Sequence, residues 1–322
     1  MHKPPLFTRF PGNPIITAAD LPYPANTVFN PGAAAVEGET LLLLRVEDLR
    51  GISHLTVCRS ADGRTGWRFD PAPTLVADPE THPEELWGIE DPRITWLPER
   101  GEWAIAYTAY SRRGPLVSLA VTSDFRHFNR LGPAMPPDDK DAALFPRRFD
   151  GRWLLAHRPV PLTGAPHIWL SYSPDLRHWG DHTLLLPARE GGWWDAERVG
   201  LGPPPLETPD GWLVLYHGAR RTVGGVLYRA GLALLALDDP RHVLHRSDEW
   251  LLGPAEPYER IGDVVGVVFP TGWIADWERD ELRLYYGAAD AAVALAVARL
   301  SEVLAYIRSC PVPERRRAAE RA

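Results

Sequence analysis

Side chains able to move protons or hold anions recur in this chain beside prolines and at the ends of apolar runs. Asn30 precedes Pro31, and Glu90 with Asp91 precedes Pro92. Apolar runs end in Arg45 with Glu47 and Asp48, in Tyr110, in Arg158, in His217 and in Asp290, while Lys140 and Arg198 stand in loops approaching the same region. A carboxyl group can deliver or take a proton, and a group of Arg, Lys and His can bind an anion through charge-assisted hydrogen bonds. Gathered at one place, they describe a polar pocket for a hydroxylated, partly anionic ligand. Each also has a structural alternative. Asp91 before proline can initiate a turn, His217 can be a satisfied core histidine, and Arg158 or Arg198 can pair with carboxylates as structural links.

A repeat would bring them together. Its first element carries proline near its start: FNPGAAAV (29–36), IEDPRITWL (89–97), ALFPRRF (143–149), GLGPPPL (200–206) and VVFPTGWI (267–274). After a turn comes an apolar strand: LLLLRVED, WAIAYTAY, WLLAHRP, WLVLYHGA and LRLYYGAAD, starting at 41, 103, 153, 212 and 282, at intervals of 62, 50, 59 and 70 residues. Aliphatic and aromatic residues in runs of this length suit strands. A third run follows in each unit, and in three units it ends in Ser with an Asp within two residues, the chemistry of a side-chain-stabilised turn. Three strands per interval leave room for a fourth, and four-stranded sheets repeated radially make a propeller. The expected fold is all-β, a single five-bladed β-propeller over 1–310 with a charged tail at 311–322, against the alternative of a β-sandwich. Equivalent positions of the repeat then face the same end of the central channel. Trp103, Trp153 and Trp212, at the starts of second strands, are expected in blade packing. Trp87, Trp193 and Trp194, in loops, are candidates for stacking on a pyranose face.

Composition narrows the function. Of 322 residues, 45% are hydrophobic and 24% charged, enough for a sizeable core. Thirty-three Pro spread along the chain favour short strands and turns. A net charge of −7 argues against nucleic acid as a partner. Two cysteines, Cys58 and Cys310, are too few for a disulfide framework. The opening MHKPPLFTRFPGNPII lacks an apolar core of signal-peptide length, and no run approaches the roughly 18 apolar residues of a membrane span. A cytoplasmic protein without membrane partners is expected.

The motifs NPGAAAV, LLLLRVEDLRGISHLTVCRSADG, WGIEDPRIT, KDAALFPRR, RVGLGPPPL, GWLVLYHGA, VVFPTG and YYGAAD, in this order from about Asn13 to Ile307, resemble glycoside hydrolase family 130, the β-mannoside phosphorylases and related β-mannosidases. The resemblance implies Asp91 as the single catalytic acid, its proton relayed through a hydroxyl of the bound mannose. It implies Asn30, Arg45 and Asp290 as residues holding the sugar, with Glu47 and Asp48 beside them, and Lys140, Arg158, Arg198, His217 and Tyr228 as the phosphate-binding set. Arg198 stands where Lys is expected and Lys140 where some relatives carry Arg; charge is kept, but a planar fork and a point charge bind phosphate differently.

Glycosidic cleavage passes through an oxocarbenium-like state and needs a proton on the departing oxygen. An inverting hydrolase needs a second carboxylate to activate water, whereas phosphate arrives ionised, so one acid and a cationic nest suffice. The implied reaction is inverting phosphorolysis of a β-1,4-mannoside to α-D-mannose 1-phosphate, with a small saccharide and inorganic phosphate as substrates and no cofactor or metal. A β-mannosidase using water and a non-catalytic carbohydrate-binding propeller are the alternatives. The acceptor sugar and the oligomeric state stay open; the resemblance brings with it a family that commonly forms homo-oligomers.

Overall fold

A strand buried on both faces has no polar side to show, and the run LLLLRV is the local form of that rule. In the computed structural model, which describes residues 5–313, Leu41 and Leu43 pack toward one neighbouring sheet with Ile94, Ile105 and Tyr107. Leu42 and Leu44 pack toward the sheet on the other side, with Tyr285 and Leu295. The same alternation recurs along the other second strands. Trp153 and Leu155 face one sheet while Leu154 and Ala156 face the next, and Trp212 and Val214 part from Leu213 and Leu215 in the same way.

The result is a five-bladed β-propeller of antiparallel sheets. The innermost strands, one per blade, are Thr27–Val36, Ile89–Leu97, Asp139–Leu144, Arg198–Leu201 and Val268–Asp276, and they adjoin one another around the axis. Second strands are Glu39–Glu47, Glu102–Ser111, Trp153–Pro159, Gly211–Thr222 and Glu281–Ala288, each close to where the repeat places it. The expected Ser/Asp turns form after third strands: Ser60 Oγ donates to Asp62 and Ser173 Oγ to Asp175, with Thr122 in the equivalent role toward Asp124. Trp153 and Trp212 are buried between blades. Among the described residues no helix is long and apolar enough to cross a membrane.

Blade 5 takes its outermost strand from the beginning of the chain. Thr8–Arg9 pairs with Val297 and Ala296, and Ile16–Thr17 pairs with Val293 and Ala292. Phe7 seats this segment in the core beside Leu282 and Val303. Arg9 forks onto fully buried Glu259 at 2.7 and 2.8 Å, and Tyr286 donates to the same carboxylate at 2.8 Å. The amphipathic stretch LSEVLAYIRS is the helix Leu300–Ser309, whose Val303 and Ile307 cover the same cluster. The charged tail expected at 311–322 lies, from residue 314 onward, outside the described residues.

Two features depart from the sequence reading. Lys140 and Arg198, expected in loops, lie on the innermost strands of blades 3 and 4; these strands are short and polar at their starts, so neither apolar runs nor alternation marks them. Blade 3's innermost strand is Asp139–Leu144, which ends before Pro146, the proline used to align that unit.

Closure by Arg9 is testable. Arg9→Ala leaves Glu259 buried without its cation and should lower the unfolding free energy by about 3 kcal/mol in urea denaturation. Arg241→Ala, which removes an exposed pair with Asp239, should leave the midpoint unchanged within error.

Candidate functional site

The innermost strands are not regular. Their pairing with the second strands slips between Phe29 and Gly32, between Glu90 and Arg93, between Lys140 and Ala143, and between Pro270 and Gly272. In three of these bulges the extra residue adopts the left-handed conformation: Asn30 at φ 44, Asp91 at φ 51 and Asp141 at φ 55. Asn and Asp enter that region at lower cost than other side chains because their short polar groups bond locally. Pro31 and Pro92 follow directly, where a bulge asks for no ladder N–H. Three of the five repeat prolines, Pro31, Pro92 and Pro270, thus mark bulges.

Asn30, Arg45 and Asp91 converge on one carboxylate. Asn30 Nδ2 donates to Asp91 Oδ1 at 2.9 Å and Arg45 Nη1 to the same oxygen at 3.0 Å. Oδ2 is left to hold or pass a proton. Arg45 also bridges to Glu90 at 3.2 Å, and Lys140 Nζ stands 3.8 Å from the other Glu90 oxygen. Gly287 lets Asn30 come this close, since a Cβ there would collide with the Asn30 amide. Asp290 lies in the turn after Glu281–Ala288 with φ 50, within the field of Asp91, Arg45, Glu90 and Lys140.

The basic residues surround a second carboxylate that the sequence reading missed. Asp141 Oδ2 accepts from Arg158 Nε at 2.7 Å and lies 3.4 Å from His217 Nε2, and its Oδ1 is 3.5 Å from Arg93 Nη2. Arg93 is fully buried and stitches three blades, donating also to the carbonyls of Asp91, Leu201 and Gly202. A Cβ at Gly200, on the innermost strand of blade 4, would strike both Asp141 and His217. Arg198 Nη1 reaches the Tyr228 hydroxyl at 3.3 Å, and the His217 ring packs against Phe269 and Tyr228. His217 stands in mid-strand rather than at a strand end. Buried polar atoms without partners include Asn30 Oδ1, Arg198 Nε and His217 Nδ1. Of the nine such atoms among the described residues, one lies beside the Asp91 carboxylate and two lie around Asp141.

Other expected residues stand apart. Glu47 accepts from Asn26, and Asp48 accepts the backbone N–H groups of Arg50 and Ile52 and pairs with the Arg50 side chain, shaping its own turn. Tyr110 packs edge-on against exposed Trp87. Trp194 is no sugar platform: it is buried, stacked on Tyr216. Trp193 is partly exposed under the Arg189 guanidinium. Asp141 has one visible signal, its place in KDAALF after Lys140. Alignment on Pro146 instead of on the bulge hid its equivalence to Asn30 and Asp91.

The charges sort the carboxyls. Burial pushes Asp91 up, but Arg45, then Arg93 and Lys140, with the Asn30 hydrogen bond, bring it below the usual range. Burial also opposes ionisation of Asp141, and Arg158, His217 and Arg93 override it strongly. Asp290 goes the other way: burial, then repulsion by Asp91, pushes it up to about 6 in spite of Arg45. In the free site the acid of this pair that holds its proton longest is therefore Asp290. An anion arriving among Lys140, Arg93 and Arg158 screens the cations that keep Asp91 ionised and raises its proton affinity.

Comparison with known proteins shows the family. The family described as β-1,4-mannooligosaccharide phosphorylase matches residues 7–309. A β-1,4-mannooligosaccharide phosphorylase from Ruminococcus albus is 33% identical over 310 residues, spanning 94% of this chain and 90% of the relative. A β-1,2-mannobiose phosphorylase from Listeria innocua is 33% identical, over 92% of this chain and 97% of its own. The solved complex of β-1,2-mannobiose phosphorylase from Listeria innocua with β-1,2-mannobiose superposes with a TM-score of 0.85 at 32% identity, over 94% of this chain and 99% of that one.

Asp290 gives a pH test. A carboxyl at about 6 in the fold, against an ordinary value near 3.9 when unfolded, costs stability that is absent below the lower value and fully present above the higher. Asp290→Asn should therefore stabilise the ligand-free protein by about 1–3 kcal/mol above roughly pH 7 and by much less near pH 4. Thermal unfolding at the two pH values measures the difference.

Proposed function

This chain belongs to glycoside hydrolase family 130, and from that premise we propose that it cleaves β-1,4-linked mannosides by inverting phosphorolysis, releasing α-D-mannose 1-phosphate and a shortened acceptor sugar. Phosphorolysis of mannosides is the activity named for the matching family and for its Ruminococcus and Listeria relatives. The observation that carries the reading here is one carboxylate, Asp91, held through Oδ1 alone, beside a nest in which Arg158 and His217 are buried and Arg198 and Lys140 partly exposed, with unmet polar atoms on Arg198 and His217. That nest has no use in binding a neutral sugar alone. It suits a tetrahedral anion that must be stripped of water and held against the anomeric carbon.

The roles follow from the contacts. Asn30 and Arg45 fix Asp91 through Oδ1, so that Oδ2 presents the proton to the substrate, directly or through a mannose hydroxyl. Asp290 and Asn30, across Gly287, hold the sugar on its glycosyl side. Arg158, Arg198, His217, Lys140 and the Tyr228 hydroxyl receive phosphate on the opposite face, which gives inversion. As phosphate binds, its charge offsets the field of Lys140 and Arg93 and loads Asp91 with its proton, so the acid forms when the nucleophile is present. The β-1,4 linkage rests on the family description and the Ruminococcus relative; the acceptor is glucose, mannose or a longer mannooligosaccharide. No metal or cofactor enters the scheme.

The deciding experiment incubates the protein with β-1,4-mannobiose, β-1,4-mannosylglucose and β-1,2-mannobiose, with and without inorganic phosphate. Mannose 1-phosphate from the β-1,4 substrates only when phosphate is present is the expected result. The same product from β-1,2-mannobiose alone refutes the linkage, and free mannose at an undiminished rate without phosphate makes water the nucleophile. Asp91→Asn should lower kcat by about 10³-fold with an unchanged circular dichroism spectrum, since it removes a proton and keeps the shape. His217→Ala should raise the KM for phosphate about tenfold more than the KM for the mannoside.

A further inference from the structure

His217 has a carboxylate on one ring nitrogen and nothing on the other. Its Nε2 lies 3.4 Å from Asp141 Oδ2, and its Nδ1 is buried without a partner. The charged and titratable groups facing the ring come from three blades: Arg93 from blade 2, Asp141 and Arg158 from blade 3, and Tyr228, with Arg198 against its hydroxyl, from blade 4. Phe269 of blade 5 packs against the ring, tilted by 37° with centroids 4.5 Å apart, and adds no charge.

Burial lowers the His217 pKa, an effect that Asp141 only partly offsets, so the ring is neutral at neutral pH. A neutral imidazole has one N–H, and beside an ionised carboxylate that N–H sits on Nε2. Nδ1 then carries a lone pair. No donor of the protein reaches this lone pair, so it is an acceptor left for a ligand that brings its own hydrogen.

Asp141 is also placed to hold this arrangement firm. It is 1% exposed, sits in a left-handed bulge of the innermost strand, and accepts from Arg158 Nε at 2.7 Å. Gly200 keeps the space clear in which Asp141 and His217 meet.

We propose that Asp141 is a positioning residue that fixes His217 as a hydrogen-bond acceptor, so that the anion site selects protonated tetrahedral oxyanions, hydrogen phosphate and arsenate, over sulfate. All three anions have similar size and shape, but sulfate carries no O–H at neutral pH and would set an oxygen lone pair against that of Nδ1. The inference rests on the reading of this site as the seat of a phosphate nucleophile.

The test is phosphorolysis of β-1,4-mannobiose at neutral pH with sulfate or arsenate as competitor, in the wild type and in Asp141→Asn. In the wild type, arsenate should replace phosphate with a similar KM, while the inhibition constant of sulfate should exceed the KM for phosphate by about tenfold or more, the cost of an unmet hydrogen bond to a charged ligand. Asp141→Asn should raise the KM for phosphate by about tenfold or more, keep the KM for mannobiose within about threefold, and shrink the preference for phosphate over sulfate. A merely structural role would move both substrates together and leave the anion preference unchanged, and that result overturns the proposal. So does a wild type that phosphorolyses mannobiose yet is inhibited by sulfate as readily as it uses phosphate. The wild-type competition decides even if the variant does not fold. A wild type whose turnover ignores phosphate removes the phosphorylase reading itself, and this inference with it.

Discussion

Side chains on a regular innermost strand of a propeller point alternately into one or other neighbouring blade. A break in the pleat re-aims one of them toward the axis. The bulges at Asn30, Asp91 and Asp141 do this, each with one residue at positive φ. Left-handed backbone at a residue other than glycine costs about 1 kcal/mol or more. Here it is borne three times at equivalent places in consecutive blades, which couples a local conformational cost to a shared purpose. The site's geometry follows from these breaks: Asn30 meets Asp91 across two blades, and Asp141 meets Arg158 and His217 across the next two.

Burying so many charges would be ruinous without mutual pairing. Arg93 links the two halves: its guanidinium binds the Asp91 carbonyl on one side and faces the Asp141 carboxylate on the other. The acid site and the anion site therefore share cations, and a charge that enters one changes proton affinity in the other. Chemistry that must supply a proton and an anionic nucleophile in the same event gains from such coupling.

The blades make such precision possible. Each second strand gives alternate side chains to two different cores, so every blade is gripped from both sides. Ring closure by the first strand, through Phe7, Arg9 and Glu259, ties blade 5 to the beginning of the chain. A site assembled from residues of all blades can be no more rigid than that closure, which buried Glu259 and partly buried Arg9 hold together.

The sequence by itself determined the number of blades, the limits of the second strands and the residues around Asp91. Those signals are local: strands buried on both faces read as unbroken apolar runs, and bulges declare themselves where proline follows Asn or Asp. It also made Arg45, Arg158 and His217 candidates, since a charged residue within or closing an apolar run has few other reasons to be there. Tertiary structure alone decided three things. Asp141 became the partner of the basic nest, because its bulge carries Ala142 in place of proline and shows no local mark. Trp194 passed from candidate sugar platform to core, because Tyr216 and Gly231 from distant strands enclose it. The protonation order of Asp91 and Asp290 was set by the distances of Arg45, Arg93 and Lys140, which lie on three different blades, and a field summed over blades has no imprint on any one stretch of chain.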